Sequence, residues 1–367
     1  MPSLILLLEL ALIAIVFAGL PLAYLWTRTG YSFFQKLNWV LVFMTFDLIV
    51  FGAFTRLTDS GLGCPDWPGC YGNSNPLHAL GDIKQAEHLL PDGPVTVMKA
   101  WIEMIHRYLA MTVGALILVQ VGTAFSKLKS LGKGPLLGSL GLLLLVCVQG
   151  AFGAWTVTLK LQPIIVTFHL ILALLLLAAL TSFAQQVWIG KNSAVQVLQI
   201  KPVSGVLWLF AFVTLFCQIF LGAWVSTNYA VLACPEFPTC LGSAWPETNW
   251  QEGFTLWRQL GLNAQGEFIS PVALQTIHWA HRLFACLVLL VLSFLAWQIL
   301  QRSSPATKGL NRFAKLLLSL LGLQIITGIS NVIFQWPLVA ALLHTAGSAA
   351  LVFCMVRIGY WTSWKRL

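Results

Sequence analysis

The sequence predicts an all-α polytopic membrane protein: two tandem, pseudo-symmetric four-helix bundles preceded by one extra N-terminal hydrophobic helix, eight or nine transmembrane helices in all. Three observations predict it. Of the 367 residues, 58% are hydrophobic and only 9% charged, a composition foreign to soluble domains. Apolar stretches long enough to span a bilayer recur along the whole chain. Finally, the second half repeats the first, with a period of 175 residues at its histidines.

The apolar stretches lie at about 4–26, 38–55, 100–123, 135–157, 164–189, 204–226, 272–300, 314–335 and 338–362. The first reads either as a span or as a signal-anchor. It has no basic n-region and carries Glu9, which is unlike a cleaved signal peptide. This divides the chain into an N-terminal helix and loop at 1–36, a first bundle at 37–190, a cytoplasmic linker at 191–203 and a second bundle at 204–367.

The net charge of +9 is explained by topology. Basic residues gather in alternate loops: Arg28 and Lys36; Lys127, Lys129 and Lys133; Lys191 and Lys201; Arg302, Lys308 and Arg312; Lys365 and Arg366. The intervening loops hold only the scattered Arg56, Lys84, Lys160 and Arg258. By the positive-inside rule the C-terminus is cytoplasmic and the long loops at 56–98 and 227–271 face outward. No nucleic-acid partner is called for; the partner that the charge pattern implies is the lipid bilayer.

Each long loop contains a Cys-x5-Cys, Cys64 to Cys70 and Cys234 to Cys240, with two prolines between the cysteines. An oxidising outer compartment and a short, Pro-rich loop favour a disulfide in each, with free thiols as the alternative. Cys147, Cys217, Cys286 and Cys354 fall within spans, where a cysteine is by default a small buried hydrophobe.

The repeat is clearest around the histidines. His106 precedes His169 by 63 residues, and His281 precedes His344 by 63. Gln149 and Gln324 stand 20 residues before the second histidine of each pair. Phe51-Gly52-Ala53-Phe54 corresponds to Leu221-Gly222-Ala223-Trp224, and in both copies the first loop cysteine follows the glycine by 12 residues. Four spans form the unit, so both copies share one orientation, as in parallel membrane repeats.

His106 falls about seven residues inside its span and His169 about six, on the order of 10 Å below the outer surface at 1.5 Å per residue, and by the repeat His281 and His344 are expected at a matching depth. Two imidazoles from different helices at one depth can ligate a haem iron from both sides. Ionisable residues within a membrane are functional by default. A single such histidine would more simply be a polar contact between helices, but the doubled spacing argues for ligands. His78 and His88 lie in the first outer loop and read as solvated. Arg107 and Arg282 follow the first histidines, where guanidinium suits a haem propionate and equally suits the headgroup region. Gln149 and Gln324 read as clamps between helices.

The copies differ at one telling position. Glu103 lies one turn before His106, whereas the second copy has His278 there. A carboxylate beside a macrocycle can move protons or stabilise positive charge; pairing with Arg107 or contact with headgroups is the plainer role. His278 could compete with His281 as a ligand, although the repeat register favours His281. The first site therefore reads as the reactive one and the second as an electron-transferring one.

Glu103-Met-Ile-His106-Arg107 resembles the Glu-x-x-His-Arg signature of the haem A synthase family, and His169, His281-Arg282 and His344 stand where that family has its other histidines. The stretch from Thr55 to Cys70 is similar to the family's outer loop, and the resemblance extends over about 38–362. It implies an oxidoreductase that converts the C8 methyl of haem O to a formyl group, giving haem A for cytochrome oxidase assembly. It implies haem b as cofactor between His281 and His344, and haem O as substrate at His106 and His169, with Glu103 catalytic. It also implies disulfides Cys64–Cys70 and, through the repeat, Cys234–Cys240. Implied partners are the farnesyltransferase that makes haem O, as substrate donor, and an electron acceptor in the membrane or periplasm; homo-oligomerisation is left open. The implied location is a bacterial inner membrane.

Departures from the family pattern are the extra segment at 4–26 and His278. The rival classes are a di-haem electron-transfer protein and a non-catalytic haem carrier. The first would want one haem near each membrane face, whereas the four histidines share one depth. A haem farnesyltransferase is disfavoured, since no aspartate-rich diphosphate-binding motif is found.

Overall fold

The computed structural model describes residues 4–27, 30–189, 203–302 and 308–360. Arg28, Lys191, Lys201, Lys365 and Arg366 of the basic loops lie outside the described residues, as does the linker 191–203 apart from Val203.

Among the described residues the regular elements are all helices: α1 (Leu4–Thr27), α2 (Phe33–Leu57), α3 (Leu80–Leu89), α4 (Val97–Ser126), α5 (Leu128–Leu131), α6 (Lys133–Thr158), α7 (Pro163–Ile189), α8 (Gly205–Thr227), a 3-10 turn (Ala230–Leu232), α9 (Trp250–Gly253), α10 (Pro271–Gln301), α11 (Lys308–Ile333) and α12 (Leu338–Gly359). Nine of these are long and apolar enough to cross a membrane: α1, α2, α4, α6, α7, α8, α10, α11 and α12. The chain is a multi-pass membrane protein.

Several helices overrun the apolar windows, because capping residues set helix ends while hydropathy marks only the stretch that lipid can cover. Ser32 and Gln35 form a capping box that starts α2 five residues before its window. Thr96 caps α4 by accepting from Lys99 N, and Ser270 with Pro271 opens α10.

The chain forms two compact units, Met1–Leu161 with Leu175–Lys191, and Gln162–Leu174 with Asn192–Leu367. In the first, α4 packs on α1, α2 and α6. In the second, α8, α10, α11 and α12 close a ring, each touching two neighbours. Lipid tails are as apolar as leucine, so close approach and polar bonds must hold such helices together. Asn38 and Gln120 join α2 to α4 by a buried 2.7 Å bond. Trp208 Nε1 donates to Met355 O (2.8 Å), and a Cβ on Gly359 would come within 2.5 Å of the Trp208 ring.

The extra N-terminal helix is integral to the first unit. Leu6 and Leu10 of α1 share a core with the Cys64–Cys70 bridge, Ile83, Met104 and Tyr108. Glu9 accepts from the Ser74 hydroxyl. The residue that marked α1 as unlike a signal peptide thus anchors it to the loop.

Candidate functional site

Both long loops are built alike. Cys64–Cys70 and Cys234–Cys240 are disulfides. Each is followed by a tight turn in which residues 70 and 73, or 240 and 243, exchange both backbone bonds. The central residues Tyr71-Gly72 and Leu241-Gly242 have positive φ, as a type I′ turn requires. An acidic side chain caps each turn. Asp66 accepts from Tyr71 N (2.6 Å) and Gly72 N (2.7 Å), and Glu236 accepts from Gly242 N and from the Thr239 hydroxyl (2.7 Å). These donors, foremost Gly242 N–H, hold the Glu236 carboxyl below its ordinary range.

The arginine after each first histidine clasps its loop. Arg107 donates to the carbonyls of Asp66 (2.9 Å), Pro68 (3.3 Å) and Gly69. Arg282 donates to those of Cys234 (2.7 Å), Glu236 (2.8 Å) and Thr239 (3.1 Å). Nη1 of Arg107 and both Nη atoms of Arg282 are therefore engaged by loop carbonyls.

Glu103 completes the first clasp. One carboxylate oxygen accepts from Arg107 (2.5 Å) and the other from Cys64 N (2.7 Å); Glu103 is 4% exposed and Arg107 8%. Gly63 makes room: a Cβ there would lie 2.4 Å from the Lys99 backbone. In the second copy the same place is taken by His278, whose Nε2 accepts from Arg282 Nε at 3.1 Å. His278 thus serves the clasp and is committed to Arg282.

The first histidines each lie against a glycine on the preceding span. A Cβ on Gly52 would lie 3.0 Å from His106 Nε2, and one on Gly222 would lie 2.9 Å from His281 Cε1. Phe51 stacks beside His106, with ring centroids 6.4 Å apart at 9°.

The second copy carries additional polar supports. Gln218 Nε2 lies 3.1 Å from His281 Nδ1 and donates to His281 O at 3.2 Å. On α11, Thr327 Oγ1 lies 2.9 Å from His344 Nδ1, and Gln324 Nε2 donates to His344 O (3.0 Å). Gln324 is thus the α11–α12 clamp that its position suggested. An apolar cavity of about 510 Å³ is lined by Leu221, next to Gly222 on α8, by Ala280, next to His281 on α10, and by Trp250, Phe254, Leu283 and Phe284.

Gln218 and Thr327 were missed from the sequence, although the repeat carried the signal. Their counterparts in the first copy are Leu48 and Phe152, which cannot hydrogen-bond an imidazole. His169 stands on α7 in the segment Gln162–Leu174. Its neighbours Thr167 and Phe168 touch Thr227 (3.1 Å) and Phe220 (centroids 6.1 Å) of α8.

The donor set of the second unit fits a haem. Two half-buried imidazoles stand on separate helices, with glycines 222 and 328 facing their rings and an apolar hollow alongside. Two neutral nitrogen ligands and an apolar wall are what an axially saturated iron porphyrin takes.

Nine membrane-length helices among the described residues, two disulfide-closed loops and an imidazole pair suited to haem in the second unit mark a multi-pass membrane protein. The chain belongs to the COX15-CtaA family, described as cytochrome oxidase assembly protein, whose model matches residues 35–356. Among its relatives is a protein of Shewanella oneidensis named Heme A synthase, 37% identical over 336 residues, covering 89% of this chain and 96% of that one. A Heme A synthase of Beijerinckia indica is 32% identical over 84% of this chain and 87% of its own. Another, of Sinorhizobium fredii, is 29% identical over 91% of each.

Proposed function

We propose that this protein is a haem A synthase, an oxidoreductase that takes haem O and converts its C8 methyl to a formyl group through successive hydroxylations. The observation that carries the reading is the unequal equipment of two equal sites. Thr327 accepts at Nδ1 of His344, as a resident ligand needs, and Gln218 lies against the His281 ring. The first copy has Leu48 and Phe152 at those places and Glu103 one turn from His106.

In this reading His281 and His344 hold haem b, which when bound supplies electron transfer. His106 and His169 ligate the substrate haem O. With water supplying the oxygen, the conversion is R–CH3 + H2O → R–CHO + 4 H+ + 4 e−, and an electron acceptor in the membrane or periplasm takes up the electrons. Glu103 is the acid–base candidate. Its carboxylate is already held by Arg107 and Cys64 N, so its orientation is set before substrate arrives. The loop clasp by Arg107 places the disulfide loop over the first turns of α4 and screens that carboxylate from water.

The alternating basic loops support a bacterial inner-membrane location with the disulfide loops outside and the C-terminus in the cytoplasm. Haem O is membrane-embedded and farnesylated, so direct transfer from its synthase is the economical route.

The test is pigment analysis of membranes in which the full chain is expressed beside a haem O-producing farnesyltransferase. Accumulation of haem A, lost in Glu103→Gln with haem b retained, supports the assignment. Stable b-type haem without any turnover of haem O would replace it with a haem carrier or an electron-transfer protein.

A further inference from the structure

The second unit buries a cation that forms no ion pair among the described residues. Arg258, in the loop between α9 and α10, is 4% exposed. It donates to Asn228 Oδ1 and to Leu262 O (3.0 Å), and lies 5.8 Å from the centroid of the Trp224 ring. Its Nε has no hydrogen-bond partner. Among the described residues the ion pairs are Arg56–Asp59 and Arg107–Glu103, and neither involves Arg258. The carboxylate that acts on it through space is Glu252, whose oxygens are taken by Ser270 N (2.8 Å), Ser270 Oγ (2.5 Å) and Asn249 Nδ2 (2.9 Å). A buried guanidinium without a paired anion is costly, and its fork of donors matches a carboxylate.

The space for that anion is present. Arg258 lines a pocket of about 270 Å³ together with Gln162, Trp257, Gln259 and Asn263. Three amide side chains and one guanidinium suit an oxyanion, and the volume suits an arm of a ligand rather than a whole macrocycle.

The pocket's place says which ligand. Gln162 immediately precedes α7 and stands seven residues before His169, about two helical turns along the chain. The other wall hangs on α8 through Trp224 and Asn228, on the side where Phe220 and Thr227 meet Phe168 and Thr167. His281 meets α8 at Gln218 and Gly222. Phe220 is two residues from each of these, about 200° around the helix. The pocket therefore goes with His169 and not with His281.

We propose that the Arg258 pocket binds a propionate carboxylate of the porphyrin whose iron His169 ligates. This rests on the reading of His169 as a ligand of the substrate haem. Arg107 and Arg282, the sequence candidates for propionates, are occupied by loop carbonyls, whereas Arg258 retains an open donor.

The test uses the full chain carrying its haem b, in nanodiscs, titrated with haem O and with its dimethyl ester and followed by Soret absorbance. Wild type should bind the free acid about tenfold more tightly than the ester, the order expected of one charge-assisted hydrogen bond. Arg258→Gln should bind haem O about tenfold more weakly and bring the acid-to-ester ratio toward one, with Arg258→Lys in between and the haem b spectrum unchanged. An unaltered acid-to-ester ratio in Arg258→Gln, in a protein whose haem b spectrum shows it folded, overturns the proposal. Equal binding of acid and ester in wild type also overturns the proposal; in that case binding of inorganic phosphate by wild type, lost in Arg258→Gln, would assign the pocket to a phosphate group instead. His169→Ala separates the two layers: haem O affinity and spectrum unaffected by that change would remove the underlying ligand reading, whatever Arg258 does.

Discussion

The hydroxyl of Thr327 lies 2.9 Å from Nδ1 of His344 while donating its own hydrogen to Leu323 O at 2.7 Å. With its hydrogen committed, the oxygen can only accept, so His344 carries its proton on Nδ1 and leaves the Nε2 lone pair for iron. Supports of this kind typically change metal affinity by about tenfold or more. Thr327→Val, which keeps the shape and loses the hydroxyl, should release haem b about tenfold faster, measured by transfer to apomyoglobin. Thr327→Ser should restore wild-type retention.

Glycines 52 and 222 separate the two sites experimentally. A methyl on Gly222 would reach 2.9 Å from His281 Cε1 and one on Gly52 would reach 3.0 Å from His106 Nε2, so either alanine must push its imidazole aside. Gly222→Ala should lower the haem b content of purified protein. Gly52→Ala should retain haem b and lose most conversion of haem O to haem A. Identical pigment profiles for the two variants would sink the division of labour.

Glu103 and Arg107 form a buried pair, and removing one partner leaves the other charged and unpaired. Arg107→Gln should lower stability by about 3 kcal/mol and loosen the loop at 64–70. The readouts are the thermal midpoint and amide exchange at Cys64, whose N–H the Glu103 carboxylate accepts.

Each disulfide closes a loop with a sequence separation of 6, for which chain entropy gives about 2 kcal/mol. Double alanine replacement of Cys64 and Cys70 should cost about that much and also free α1, because Leu6 and Leu10 pack on the same bridge. Proteolysis within α1 should rise in that variant. Replacing Cys234 and Cys240 should leave α1 protected.

Glu236 gives the second loop a defined acid response. Its folded-state carboxyl is held low by Gly242 N–H first, then by the Thr239 hydroxyl and the Arg282 charge. Its contribution is therefore present above the ordinary glutamate range and is lost only as pH falls through the lower folded value. Exchange at the Gly242 amide should stay slow from neutral pH to about 5 and accelerate well below the ordinary glutamate value of about 4.3. Glu236→Gln should abolish that transition.

The apolar stretches, the repeat and the loop cysteines were legible because each is a one-dimensional pattern: span length, period and pairwise spacing. Arg107 was ambiguous between propionate and headgroup because both want a cation at that depth; neither choice anticipated three loop carbonyls folding back onto it. Glu9 looked like a mark against a signal peptide, and its Ser74 partner lies 65 residues away. Gln218 and Thr327 were readable only by asking what the first copy lacks.

By itself the sequence determined an all-helical membrane protein whose histidines recur at one period, since hydropathy and period depend on composition and order alone. Tertiary structure decided which polar groups remain available. Arg107, Arg282 and His278 are engaged in the loop clasps, while Arg258 is buried with no ion-pair partner among the described residues. The reason is physical: hydrogen-bond donors are satisfied by whatever carbonyl the fold brings within 3 Å, and those partners come from loops 38 to 48 residues away.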